Sequence, residues 1–141
     1  MKTRIPAVHR RARRGSTMLE VALSFMAFVL LTLGVMEFSM AVNGYNFVSY
    51  AAQRAARWAS TQGSGSASPA TNDSIQTLVR SWAIGLTSSN VTTTTTWTPT
   101  GDKDPGAQVT VVVNYTVTPL VGLALLESFN VSSTSQYYIT H

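Results

Sequence analysis

Sixteen consecutive residues, Val21 to Met36, carry no charge, and six of the ten cations of the chain, Lys2, Arg4, Arg10, Arg11, Arg13 and Arg14, lie just before them. With Phe38 to Val42 the apolar stretch approaches the roughly 20 residues that an α-helix needs to cross a hydrocarbon core of about 30 Å. Glu20 stands at its entrance and Glu37 interrupts it near its end. At about 1.5 Å per residue the two carboxylates are about 25 Å apart, so each can lie near one edge of the apolar slab or snorkel towards it. One span is expected. Lys and Arg are dense before it and absent until Arg54 after it, which predicts a cytoplasmic leader and an extracytoplasmic remainder.

The same arithmetic narrows the partners. After Gly15 the chain carries four cations against six anions, so the formal net charge of +4 belongs to the leader and gives no reason to expect a nucleic-acid-binding domain. A secretory signal peptide competes with the anchor, since Ser39-Met40-Ala41 offers small residues for a signal peptidase and cleavage there would free a domain beginning at Val42. Its apolar core and total length would exceed the usual ~7–15 and ~15–30 residues. A twin-arginine signal is weaker, because paired arginines arise by chance in so basic a leader.

The junction Arg13-Arg14-Gly15-Ser16-Thr17-Met18-Leu19-Glu20 resembles the processing site of type IV prepilins and the related pseudopilins. There a glycine closes a short basic leader and a glutamate stands at position five of the mature chain. The resemblance implies cleavage after Gly15 by a prepilin peptidase, with Ser16 as the new N-terminus. A charge inside a bilayer costs about 2.5–3.5 kcal/mol on insertion scales, so such a glutamate needs a partner. Cleavage would create one, the α-amino group of Ser16, one turn from Glu20 or supplied by a neighbouring subunit. By resemblance Glu20 sets the axial register between subunits; the plainer reading is a carboxylate solvated by headgroups at the membrane edge.

Beyond the span, Tyr45, Val48, Ala52, Ala55 and Ala59 recur at spacings of three and four, with Arg54 and Arg57 turned to water, which predicts that the helix continues to about Ser60. A helix from Ser16 to Ser60 would be roughly 65 Å long, softened at Gly34 and Gly44. Gly34-Val35-Met36-Glu37-Phe38, Tyr45-Asn46 and Ala51-Ala52-Gln53-Arg54-Ala55-Ala56-Arg57-Trp58-Ala59 together resemble the TadE-like family of tight-adherence pilus systems. Ala56 and Arg57 keep that family's typical ending, while Gln53, Arg54, Ala55 and Trp58 depart from it. The resemblance covers about residues 10 to 60 and makes Glu37, Phe38 and Arg57 family-like positions. It implies a membrane-anchored pseudopilin, a minor subunit or assembly factor of a thin adhesive pilus, whose partners are the prepilin peptidase, other pilin or pseudopilin subunits and the cytoplasmic membrane. Pairing with a second pseudopilin follows by analogy.

Residues 61–71 are small and polar, with a proline, and read as a linker. Ile75, Leu78, Val79, Trp82 and Leu86 then line one face of a short helix that Asn72 or Asp73 can cap. The period changes at Val109, Val111, Val113, Tyr115 and Val117, which alternate with Gln108, Thr110, Asn114 and Thr116 and predict a strand with one apolar face, spoiled only by Val112. Asn90 to Trp97 and Val131 to Ile139 read as flanking strands. Gly101-Asp102-Lys103-Asp104-Pro105-Gly106 is the hairpin connection between the first two, and Leu120 to Leu126, opened by Pro119, is a short helix, a covering loop or a partner-binding patch. The expected fold class is α+β: a leader over 1–15, a transmembrane and stalk helix over 16–60, a linker over 61–71, and an extracytoplasmic head over 72–141 with a short helix and an antiparallel sheet. So small a head buries a modest core.

Chemistry is nearly absent. The chain has no cysteine and two histidines, His9 and His141, which excludes thiol catalysis and leaves no plausible catalytic imidazole. Asp102 and Asp104 lack the repeated oxygen ligands of a calcium loop, so a solvated turn is favoured, and no phosphate loop or dinucleotide fingerprint occurs. The triplets at Asn90, Asn114 and Asn130 match the glycosylation acceptor pattern, which a Ser- and Thr-rich chain generates by chance. No enzyme, cofactor, metal, nucleic acid or small-molecule substrate is expected. Two functions remain: a pseudopilin, and a signal-anchored or secreted envelope module that binds through its Thr-rich sheet.

Overall fold

The computed structural model describes residues 9–119 and 127–140. Most of the leader, the apolar segment Leu120 to Leu126 and His141 lie outside the described residues. One long helix, α1 (His9–Ser60), is followed by α2 (Asn72–Ser81), a short 3-10 turn (Ser88–Asn90), and the strands β1 (Val91–Thr98), β2 (Gln108–Val117) and β3 (Phe129–Tyr138). This is the expected α+β class, with three antiparallel strands in the order β1-β2-β3. The residues fall into two compact units, Met1–Phe38 and Ser39–His141.

Within the first unit the large apolar side chains of α1 point outward. Leu23, Phe25, Phe28 and Leu31 are all well exposed, as expected of a helix whose apolar surface faces something other than its own chain. Thr32, one of two hydroxyl residues in the run, donates its hydroxyl to the carbonyl of Phe28 at 2.9 Å, which satisfies that group without a solvent molecule.

The second unit is built on the other part of the same helix. Gly44, Val48, Ala51, Ala52, Ala55, Ala56 and Ala59 are buried, a stripe of small residues at helical spacing that lets the sheet approach the backbone closely. Tyr45, expected on that stripe, is exposed instead, and Gly44 takes its place. The reason is room: a Cβ on Gly44 would stand 3.0 Å from Cδ1 of Tyr115, so the ring would have to give way to any side chain there. Helix α1 passes unbroken through both glycines expected to soften it, since a helical glycine costs only about 1 kcal/mol and Gly44 is held against Tyr115.

The alternation in β2 turns Val109, Val111, Val113, Tyr115 and Val117 into the core. Their partners across the ladder are Val91, Thr93, Thr95 and Trp97 of β1 and Val131, Ser133, Ser135 and Tyr137 of β3, with Val111 opposite both Thr95 and Ser135. The opposite face carries Thr92, Thr94, Thr96, Val112 and Thr134, none of them charged. Helix α2 packs on β1 through Ile75 and Val79. Its cap is Thr71, not Asn72 or Asp73: the Thr71 hydroxyl accepts from the Ser74 amide while the Ser74 hydroxyl accepts from the Thr71 amide. Thr71 has the extended backbone that a cap requires, whereas Asn72 and Asp73 already lie within the helix. The helix closes at Ser81, so Trp82 is its C-cap and Leu86 lies beyond it.

The β1–β2 connection is a hairpin, as expected, closed by Gly101 and Gly106 at φ of 78° and 96°, values that disfavour a side chain. Segment 61–71 is tied down by backbone bonds from Ser64 to Lys103 and from Ala70 to Gln62. The Lys103 ammonium also donates to the Ala70 carbonyl at 2.7 Å and lies 4.8 Å from the centre of the Trp97 ring.

Candidate assembly segment

Gly15, Ser16 and Glu20 lie on the exposed surface of α1. Among the described residues, the neighbouring helix backbone aside, nothing comes within 4 Å of a Cβ built on Gly15. A shallow cleft of about 370 Å³ runs beside it, lined by Thr17, Met18, Val21, Ala22 and Phe25. Glu20 borders this apolar surface, and Glu37, half-buried, lies at the other end of the run. Phe38 is exposed on the adjoining turn.

Arg57 lies in the other unit. Its guanidinium lies 5.9 Å from the centre of the Tyr137 ring. Arg54, one turn away, stacks on Trp82 at 4.5 Å and donates to the Tyr50 hydroxyl at 2.9 Å. Tyr50, Gln53, Arg54 and Arg57 line a polar cleft of about 400 Å³. Arg54 was legible only as a solvent-facing cation. Tyr50 stands one turn before it on the same helix, but Trp82 comes from a part of the chain that periodicity does not join to Arg54, so the cation–π bridge to Trp82 had no local signal.

The acidic turn has a structural use. Asp102 accepts from the Asp104 amide at 2.9 Å and Asp104 accepts from the Ser64 hydroxyl. These bonds hold the hairpin against segment 61–71. Among the described residues no cluster of three His, Cys, Asp or Glu side chains stands close enough to hold a metal ion.

One helix, Gly15–Ser60, is long and apolar enough to cross a membrane, and it runs on into a small α+β unit. Among the described residues this helix has the length and composition that a single membrane anchor requires. Residues 15–57 match the family model described as TadE-like protein, so this segment is TadE-like, as the junction and the helix ending had suggested. No curated protein and no solved structure matches the chain. The match covers under half of the chain and concerns the long helix alone.

Proposed function

We propose that this chain is a pseudopilin: a single-pass subunit with its N-terminus in the cytoplasm, cut after Gly15 by a prepilin peptidase, and then incorporated into a thin adhesive pilus or used to prime its assembly. The observation that carries the reading is that the TadE-like match begins at residue 15, the glycine of the junction. Supporting it, most large apolar side chains from Met18 to Phe38 are exposed among the described residues, and lipid can cover them before assembly and neighbouring helices after it.

On this reading the leader 1–15 is removed, 16–60 is the anchor and stalk, 61–71 joins it to the head at 72–141, and Glu20 pairs with the Ser16 ammonium of its own or a neighbouring subunit. Glu37, Phe38 and Arg57 serve the packing of the stalk. The test is the mass of the intact chain recovered from membranes of its host, read for wild type and for Glu20→Ala. A start at Ser16 with membrane-inserted but unassembled Glu20→Ala supports the proposal. A start at Met1 leaves a plain signal-anchored module, a start at Val42 a secreted one, and normal pilus assembly by Glu20→Ala removes the register role.

A further inference from the structure

Large apolar side chains left exposed in the unit 39–141 are unevenly placed. Those without a polar atom, among the described residues, are Val42, Ile84 and Phe129. Ile84 is the extreme case at 88% exposed, although it sits between Trp82 and Leu86, which are both partly buried against the core. Single exposed apolar residues need no explanation, but these three gather at one end of the unit. Gly85 and Leu86, next to Ile84, line a cleft with Met40, Asn43, Tyr115 and Val117. Phe129 pairs with Val117 in the ladder, and Val117 lies against Gly44. The opposite end of the sheet, where the hairpin and Thr140 meet Ser60, is polar: Thr100, Asp102, Lys103 and Asp104 are there.

Met40 follows Glu37, near the end of the apolar run, by three helical residues, about 4.5 Å. The headgroup regions of a bilayer add roughly 5–8 Å on each side of the hydrocarbon core. Met40 belongs to the same unit as the Ile84 turn and shares a cleft with Gly85 and Leu86, so chain connectivity alone gives that turn interfacial reach from the end of the apolar run. Tyr45, exposed on the same part of α1, is an amphipathic side chain of the kind enriched at that depth. Glu127, two residues before Phe129, is exposed and can remain in the headgroup layer.

We infer that the Ile84 turn, with Phe129 and Val42, is a second membrane contact: the end of the α+β unit nearest Met40 rests on the bilayer, and Ile84 enters the interface. The inference rests on the anchored reading of α1 and adds a lipid-facing surface outside the span. Burial of apolar side chains favours the contact, and so few of them leave the unit readily released.

The chain has no cysteine, so single cysteines placed in the full chain can carry an environment-sensitive fluorophore. Ile84→Cys, Val35→Cys within the span and Thr100→Cys at the far end are each reconstituted in vesicles with and without lipids brominated high on the acyl chain. The expected result is quenching at 35 and 84 and none at 100. Quenching at 35 alone overturns the inference and leaves the anchor standing, and absence of quenching at 35 overturns the anchor itself. A label at 84 that is shielded from water but not quenched by the lipids also overturns it, in favour of a protein partner. Because Ile84 is exposed, the substitution removes little packing, and tryptophan fluorescence of each variant checks that the unit is folded.

Discussion

Gly44→Ala should destabilise the unit 39–141, although the same exchange in an open helix stabilises. Alanine is favoured over glycine in a helix interior by about 0.8–1.0 kcal/mol. At position 44 the new Cβ would stand 3.0 Å and 3.2 Å from Cδ1 and Cε1 of Tyr115 and 3.5 Å from Cγ2 of Val117. Tyr115 cannot simply step aside, because it is buried and Phe47 holds it edge-on at a centroid distance of 6.5 Å. Overpacking a filled site costs about 1–3 kcal/mol, so the net effect is a loss of up to about 2 kcal/mol after the propensity gain. Trp58, Trp82 and Trp97 all lie in this unit, so urea unfolding of the full chain in detergent, followed by tryptophan fluorescence, reports on it. Repeating Gly44→Ala in a Tyr115→Val background removes the ring and should reverse the sign, leaving a gain approaching 1 kcal/mol. Equal effects in both backgrounds, or stabilisation with Tyr115 present, would refute the close-approach argument.

Gln76→Ala should lower stability by about 1–3 kcal/mol and promote self-association: the Gln76 amide donates to the Val91 carbonyl at 2.8 Å and accepts from the Thr93 amide at 2.6 Å, closing the outer edge of β1. Light scattering at rising concentration, beside the urea midpoint, checks both parts. Thr71→Ala removes one side of the capping box and should cost about 0.5–2 kcal/mol, with faster amide exchange confined to the first turn of α2. Lys103→Met keeps much of the packing on Trp97 but loses the bond to the Ala70 carbonyl, so amide exchange should rise in residues 61–71 while the sheet keeps its protection.

What could be read from the chain followed from local period. Alternation in β2 marks its inner face because successive side chains of a strand point to opposite sides, and even Val112, the one apolar residue out of phase, lies on the predicted outer face. The apolar run was legible because a helix in lipid must be apolar over a length set by the bilayer. The run of threonines in β1 concealed its own sides. Thr95 is buried and Thr94 exposed, yet the two residues are chemically identical, and only pairing with Val111 and coverage by α2 separate them. The hydroxyls of Thr93 and Thr95 are buried without a hydrogen-bond partner among the described residues. That arrangement costs free energy, and no sequence pattern announces it.

The candidate assembly segment divides in the same way. Gly15, Ser16 and Glu20 were singled out by adjacency alone, because the proposed processing site is a linear segment and needs no tertiary partner. The Arg54 stack on Trp82, the Gln76 clamp on β1 and the outward Ile84 each depend on chain segments far apart in sequence.

By itself the sequence determined the long apolar helix, its charge asymmetry, the continuation to Ser60 and the phase of β2, since each follows from the order and spacing of side chains along a regular backbone. Only the tertiary structure decided that Gly44 and not Tyr45 lies under the sheet, that Thr71 caps α2, and that the exposed aliphatic residues gather near Met40. Those outcomes depend on which surfaces compete for the same space, and that competition arises only once the helix and the sheet are packed together.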